Sequence, residues 1–141
     1  MPLYDIVLAD QTEAAALASS ESPLSSFPGF TCKPIDHVKL ALLFPILDVA
    51  TFEDAINALE PVVFGSNDGP FVSLLPPRLL DAISSIDPSG LPDIARNWGS
   101  SEEFARDGIG ARQAEDFLQS VVSLWQHARS ERRSLFLWAT P

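Results

Sequence analysis

Few residues of this 141-residue chain have the types and spacing that chemistry demands. His37 and His127 are its two histidines, and Cys32 is its single cysteine. Asp36 stands next to His37, but neighbours along a helix do not face each other. Asp36 therefore reads as a helix cap, and His37 as an exposed first-turn residue. His127 lies beside an apolar helical stripe, close to Arg129, Arg132 and Arg133. It is expected to pack against Trp125 or the final strand. The competing reading assembles His37, His127, Asp36 and Arg129 into an enzyme or small-molecule site that no motif announces. A reactive thiol needs a basic, partly exposed setting; Cys32 reads more simply as a small buried apolar residue.

The remaining chemical patterns are thin. No metal motif of the HExxH, CxxC or DxDxDG kind occurs, so neither a metal site nor a cofactor is expected. No G-x-S-x-G elbow presents a serine nucleophile. The turn Gly65-Ser66-Asn67-Asp68-Gly69 lacks the lysine and the strand-to-helix setting of a phosphate cradle. Gly108-Ile109-Gly110 opens a long helix and reads as a turn. The acid pairs Glu53-Asp54 and Glu102-Glu103 stand at helix starts, where the helix dipole favours negative charge.

Charge distribution says more. Nineteen acids and nine bases give a net charge of −10. Residues 1–72 hold ten acids and two bases, whereas residues 73–141 hold nine acids and seven bases. Such a balance speaks against binding to nucleic acid, which needs a basic surface. It speaks equally against docking on anionic lipid. An acidic first half does suit a basic protein partner, because complementary charge speeds encounter and rejects wrong partners. Glu53 and Asp54 are the candidate residues for that contact, with His37, His127 and Arg129 as further binding candidates. Tryptophans anchor many interfaces, so Trp98, Trp125 and Trp138 are candidate anchors, although Trp125 falls on an apolar stripe and is expected to pack in the core. Sequence leaves monomer and homodimer open.

The elements that must position these residues are mostly helical. Hydrophobic residues at 46% and charged residues at 20% give an ordinary globular composition, and the length fits one domain over residues 1–141. The Leu3–Leu8 run reads as a strand, and Asp10 with Glu13 as a capping box opening a short helix. Ser19 to Pro34, rich in serine and proline, reads as a loop packed on the surface by Leu24, Phe27 and Phe30. Asp36 caps a helix to about Leu47 that is apolar on all sides, the mark of a central helix. Thr51 caps a shorter one to about Leu59. Pro61–Phe64 and Phe71–Leu75 flank a dense turn and read as a hairpin.

Pro77 suits the first turn of the next helix. A short helix carries Leu91, Ile94, Ala95 and Trp98, and Glu102–Gly110 reads as loop with one helical turn. A long amphipathic helix runs from about Ala111 to Arg132, with Ala114, Phe117, Leu118, Val121 and Trp125 on one stripe. Leu135–Ala139 closes as a strand able to pair with Leu3–Leu8. The expected fold is α+β, a predominantly helical domain around a small mixed or antiparallel sheet that includes both terminal strands. The N-terminal residues lack a signal-peptide core, and the longest apolar run, Leu40–Leu47, falls far short of the roughly 20 residues of a membrane helix. With one cysteine and no internal disulfide, a cytoplasmic setting is expected.

Residues 70–141 bear a family outline. It is carried by Phe71-Val72-Ser73-Leu74-Leu75-Pro76-Pro77-Arg78-Leu79-Leu80-Asp81-Ala82-Ile83 and by Ser85-Ile86-Asp87-Pro88-Ser89-Gly90-Leu91. The helix ending in Ala128-Arg129-Ser130-Glu131-Arg132-Arg133, followed directly by a strand, completes it. In element order and apolar pattern this resembles the YfbM-like proteins, small α+β bacterial proteins of unknown function. The resemblance implies a bacterial cytoplasmic protein and carries over no functional residue. The residues favour a non-catalytic protein-binding module of regulatory or immunity type; the alternative is an enzyme or small-molecule binder near His37 or His127.

Overall fold

Two strands far apart in sequence meet at the middle of one sheet. In the computed structural model, which describes residues 2–141, β1 (Leu3–Ala9) runs antiparallel to β5 (Ser134–Thr140), with Leu3 opposite Thr140 and Ala9 opposite Ser134. Ile6 to Ala9 and Leu135 to Ala139 are buried on both sides of the pleat, as a strand covered on two faces requires. Beyond them lie β2 (Gly29–Thr31), β3 (Val63–Phe64) and β4 (Phe71–Leu74), in the all-antiparallel order β2-β1-β5-β4-β3.

β2 corrects the reading of Ser19–Pro34 as loop alone. A short turn of 3-10 helix at Pro23–Ser25 leads into it, and it pairs Gly29 with Val7 and Thr31 with Asp5. The reason is local: a Cβ on Gly29 would stand 2.1 Å from the Ile6 carbonyl oxygen, so only glycine lets the two backbones approach this closely. Three residues with no alternating pattern give no readable strand signal.

Each sheet face has its own cover. Ile6, Leu8, Leu135 and Leu137 join the larger core, which the long helices complete. Val7, Ala9, Val72, Phe136 and Trp138 meet α1 (Ala14–Ala18) on the other side, where the Trp138 indole N–H donates to the Leu17 carbonyl at 3.0 Å. The Asp10 backbone N–H donates to Glu13 Oε1 at 2.9 Å, but the turn it opens is 3-10 at Gln11–Glu13 before α1 begins.

On the larger face, α2 (His37–Ile46) and α3 (Phe52–Ala58) are capped as their sequences predict. Asp36 Oδ1 accepts from the Lys39 backbone N–H at 3.0 Å, and Thr51 Oγ1 from that of Asp54 at 3.2 Å. Then follow α4 (Pro77–Ser84), α5 (Leu91–Gly99), α6 (Glu102–Arg106) and α7 (Ala111–Ser130). α5 and α7 touch at Gly99, where a Cβ would lie 2.7 Å from the Ala111 nitrogen. Trp98 is fully buried at this junction, edge-on to Phe104 and Phe117, and its indole N–H donates to the Lys39 carbonyl at 2.7 Å. Trp98 and Trp138 are thus core residues, unavailable as interface anchors. Trp125 is buried as well and donates to Asp81 Oδ1 at 3.0 Å.

Candidate functional site

The two histidines exchange the environments their sequences suggest. His37 is half-buried, because the first turn of α2 lies over the β1–β5–β4 end of the sheet. Its ring meets Tyr4 edge-on with centroids 6.2 Å apart, and its Nε2 stands 3.4 Å from Ser73 Oγ. Burial pushes its pKa below the usual value, with the Asp36 carboxylate opposing. His127 is exposed on the outer side of α7 and pairs through Nε2 with Glu131 Oε2 at 2.7 Å, one turn away. The expectation of a packed His127 misjudged its place at the edge of the apolar stripe, one position off the buried face that Ala128 occupies.

Among the described residues, none of the four main grooves brings two of the four suggested site residues together. His37 lines one groove and His127 another; neither groove includes Asp36 or Arg129. Arg129 is exposed and faces Asp81 Oδ1 at 3.6 Å, the oxygen that also accepts from Trp125. Its role is to hold α7 against α4. Ser73 does lie beside His37, but it is fully buried. A hydroxyl sealed beneath the imidazole has no path to a substrate carbonyl, so it orients the ring rather than attacking.

Cys32 is buried, with its thiol pointing to the Ile35 carbonyl at 3.5 Å. Burial pushes its pKa far upward, which leaves the thiol protonated and inert. It borders a cavity of about 180 Å³ between the β2 segment and α7.

A charged cluster escaped the sequence reading altogether. Lys39 is only 1% exposed, and its ammonium is held by Asp107 on the α6–α7 turn and by Asp36 Oδ2 at 3.5 Å. Pattern alone gives no signal for it, since Lys39 lies within an otherwise apolar helix and Asp107 is 68 positions away. Both partners are acidic and the lysine is enclosed, so the cluster is a tie between α2 and the α6–α7 turn. Among the described residues, no group of three or more His, Cys, Asp or Glu side chains is placed to hold a metal ion.

One groove open to solvent is lined mainly by apolar side chains. His37, Ile56, Leu59, Glu60, Pro61, Phe64 and Phe71 line a groove of about 360 Å³ between α3 and the β3–β4 hairpin. Phe64 is 58% exposed and stands edge-on to Phe71 with centroids 5.8 Å apart. Phe52, 39% exposed, sits one turn before Ile56 on α3 and extends the apolar strip. Glu53, Asp54 and Glu60 are exposed on the same segment. Between Leu40 and Pro77 the chain has five acids, Asp48, Glu53, Asp54, Glu60 and Asp68, and no lysine or arginine. Among the described residues none of these five is ion-paired.

Sequence reasoning singled out Glu53 and Asp54 but not the groove beside them. Its aromatic floor depends on Phe64 and Phe71 meeting His37, which lies far earlier in the chain. No family model matches this chain, and neither the curated proteins nor the solved structures contain a match to it. Among the described residues, no helix is long and apolar enough to cross a membrane.

Proposed function

We propose that this protein is a non-catalytic protein-binding module whose docking face is the groove between α3 and the β3–β4 hairpin. The observation that carries this reading is the placing of exposed Phe52 and Phe64 on a strip bordered by unpaired carboxylates. An exposed apolar patch with a polar rim is the ordinary form of an interaction site. The histidine at its inner end is neutral at physiological pH, so partner binding desolvates no cation there. A regulatory or immunity-type role in the bacterial cytoplasm belongs to the same reading. It is supported by the single unpaired cysteine and by the likeness in element order to YfbM-like proteins over residues 70–141. The acidity argues against nucleic acid as the partner.

Photo-crosslinking inside the source cells tests this. With the crosslinker placed at Ile56 or Phe64, a discrete protein adduct is expected, and Phe52→Asp should abolish it. Absence of any adduct above the level of an exposed α7 position such as Gln126 overturns the reading.

A further inference from the structure

We infer that the occupant of the groove is a basic polypeptide segment that seats one bulky apolar side chain between Phe64 and Ile56, and that a second copy of this chain is excluded. The inference rests on the protein-binding reading and specifies its partner.

Three observations converge. The first is size. A groove of about 360 Å³, at the small end of the roughly 300–1,000 Å³ range for binding pockets and lined mainly by apolar side chains, has room for a bulky apolar side chain. The second is charge. The segment from Leu40 to Pro77 has five acids against no base, whereas most arginines of the second half have local partners. Arg96 pairs with Asp93, Arg106 with Glu103, Arg129 with Asp81 and Arg133 with Glu131. Of these acids Glu60 lines the groove and Glu53 and Asp54 are exposed on the adjoining α3, whereas Asp68 borders a different groove beside Glu21. Glu53 lies one turn before Ile56 on α3, and Glu60, just past the end of that helix, lines the groove, so a cation beside the anchor can meet a carboxylate.

The third observation concerns the edge. β3 borders the sheet but is only two residues long, so the row of backbone groups it offers an added strand is short and gives little affinity. Recognition must therefore come from side chains: one apolar anchor and flanking cations. Two copies meeting at this face would set Glu53, Asp54 and Glu60 against their like, which costs free energy.

Peptide display against the intact chain, followed by titrations of synthetic peptides by fluorescence anisotropy, tests the proposal. Selected peptides are expected to carry Trp, Phe, Leu or Met with Lys or Arg on both sides. Replacing the anchor by Ala should weaken binding at least about tenfold. Replacing the flanking bases by Gln should cost a comparable factor at low salt and progressively less as salt rises. Glu60→Lys and Phe64→Asp should each reproduce these losses, and circular dichroism of both exposed-site variants checks that the fold is kept. Three outcomes overturn the proposal. The first is selection of neutral or acidic peptides, and the second is binding indifferent to Phe64→Asp. The third is light scattering that shows a dimer broken by the same substitution. If the crosslinks at Ile56 and Phe64 persist in such a case, the partner's chemistry is wrong while protein binding stands. If the crosslinks are absent as well, both fall.

Discussion

The junction of α2, α5 and α7 and the face formed by α3 with the β3–β4 hairpin treat the same residue types in opposite ways. At the junction an indole, two phenyl rings and a lysine are enclosed, and every polar atom of Trp98 and Lys39 has a partner. At the α3 face two phenyl rings lie open to water, and among the described residues Glu53, Asp54 and Glu60 go without an ion pair. One region spends aromatic and charged side chains on stability, and the other leaves them available. Residue type alone therefore says nothing of role. What separates the two regions is whether other helices close over them, as α5, α6 and α7 do at the junction and none does over Phe52 and Phe64.

Substitutions can break this contrast or sharpen it. The largest effect belongs to Trp98→Ala, which empties a fully buried site and strands the Lys39 carbonyl. A loss of about 3–5 kcal/mol is expected in urea unfolding, and a loss below about 1 kcal/mol would mean the junction is not the stabilising centre. Asp107→Ala comes next. It leaves the enclosed ammonium of Lys39 with only the longer contact to Asp36, at 3.5 Å. Because the Asp107 side chain is 44% exposed, water can take its place in part and a cost of about 1–3 kcal/mol is expected; Lys39→Met, which removes the charge itself, should cost less in the same assay.

Acid should find His37 next. Its folded pKa lies below the unfolded value of 6.5, so the unfolded chain binds more protons and stability is full above that value. Stability is then lost as pH falls through the unfolded value toward the folded one, and His37→Phe should flatten this part of the profile. Asp5 contributes a slope of the other sign at lower pH, because burial raises its pKa above 3.8. A profile unchanged by His37→Phe would place that histidine in water. The smallest effect on stability is expected of Phe64→Ser, within about 0.5 kcal/mol by the same unfolding measurement, because the ring is already largely exposed. A larger loss would show that the groove's aromatic edge supports the fold, and would dissolve the contrast.

Much of the scaffold is legible in the residues themselves. Caps at Asp36 and Thr51, the proline opening of α4, the stripe of α7 and the two long strands are local signals, and the structure reproduces them. β2 was illegible because its pairing depends on a glycine fitting under a carbonyl of another strand. The histidines were misjudged for a related reason. A first-turn position says nothing of what the helix start lies over, and His37 happens to lie over Tyr4 and Ser73. The acidic bias of the first half was legible as a count, but its concentration beside an apolar groove required the hairpin to fold back on α3.

The placement of β5 between β1 and β4 bears on how the protein is made. During synthesis the first strand and the hairpin leave the ribosome with a vacancy between them, and nothing translated before Ser134 can fill it. Closing the sheet must therefore wait until this late segment emerges, and joining it to β1 closes a loop of nearly the whole chain, a slow step by its entropy. Until then the apolar rows of β1 and β4 are open, the kind of surface that makes an unfinished chain prone to aggregate.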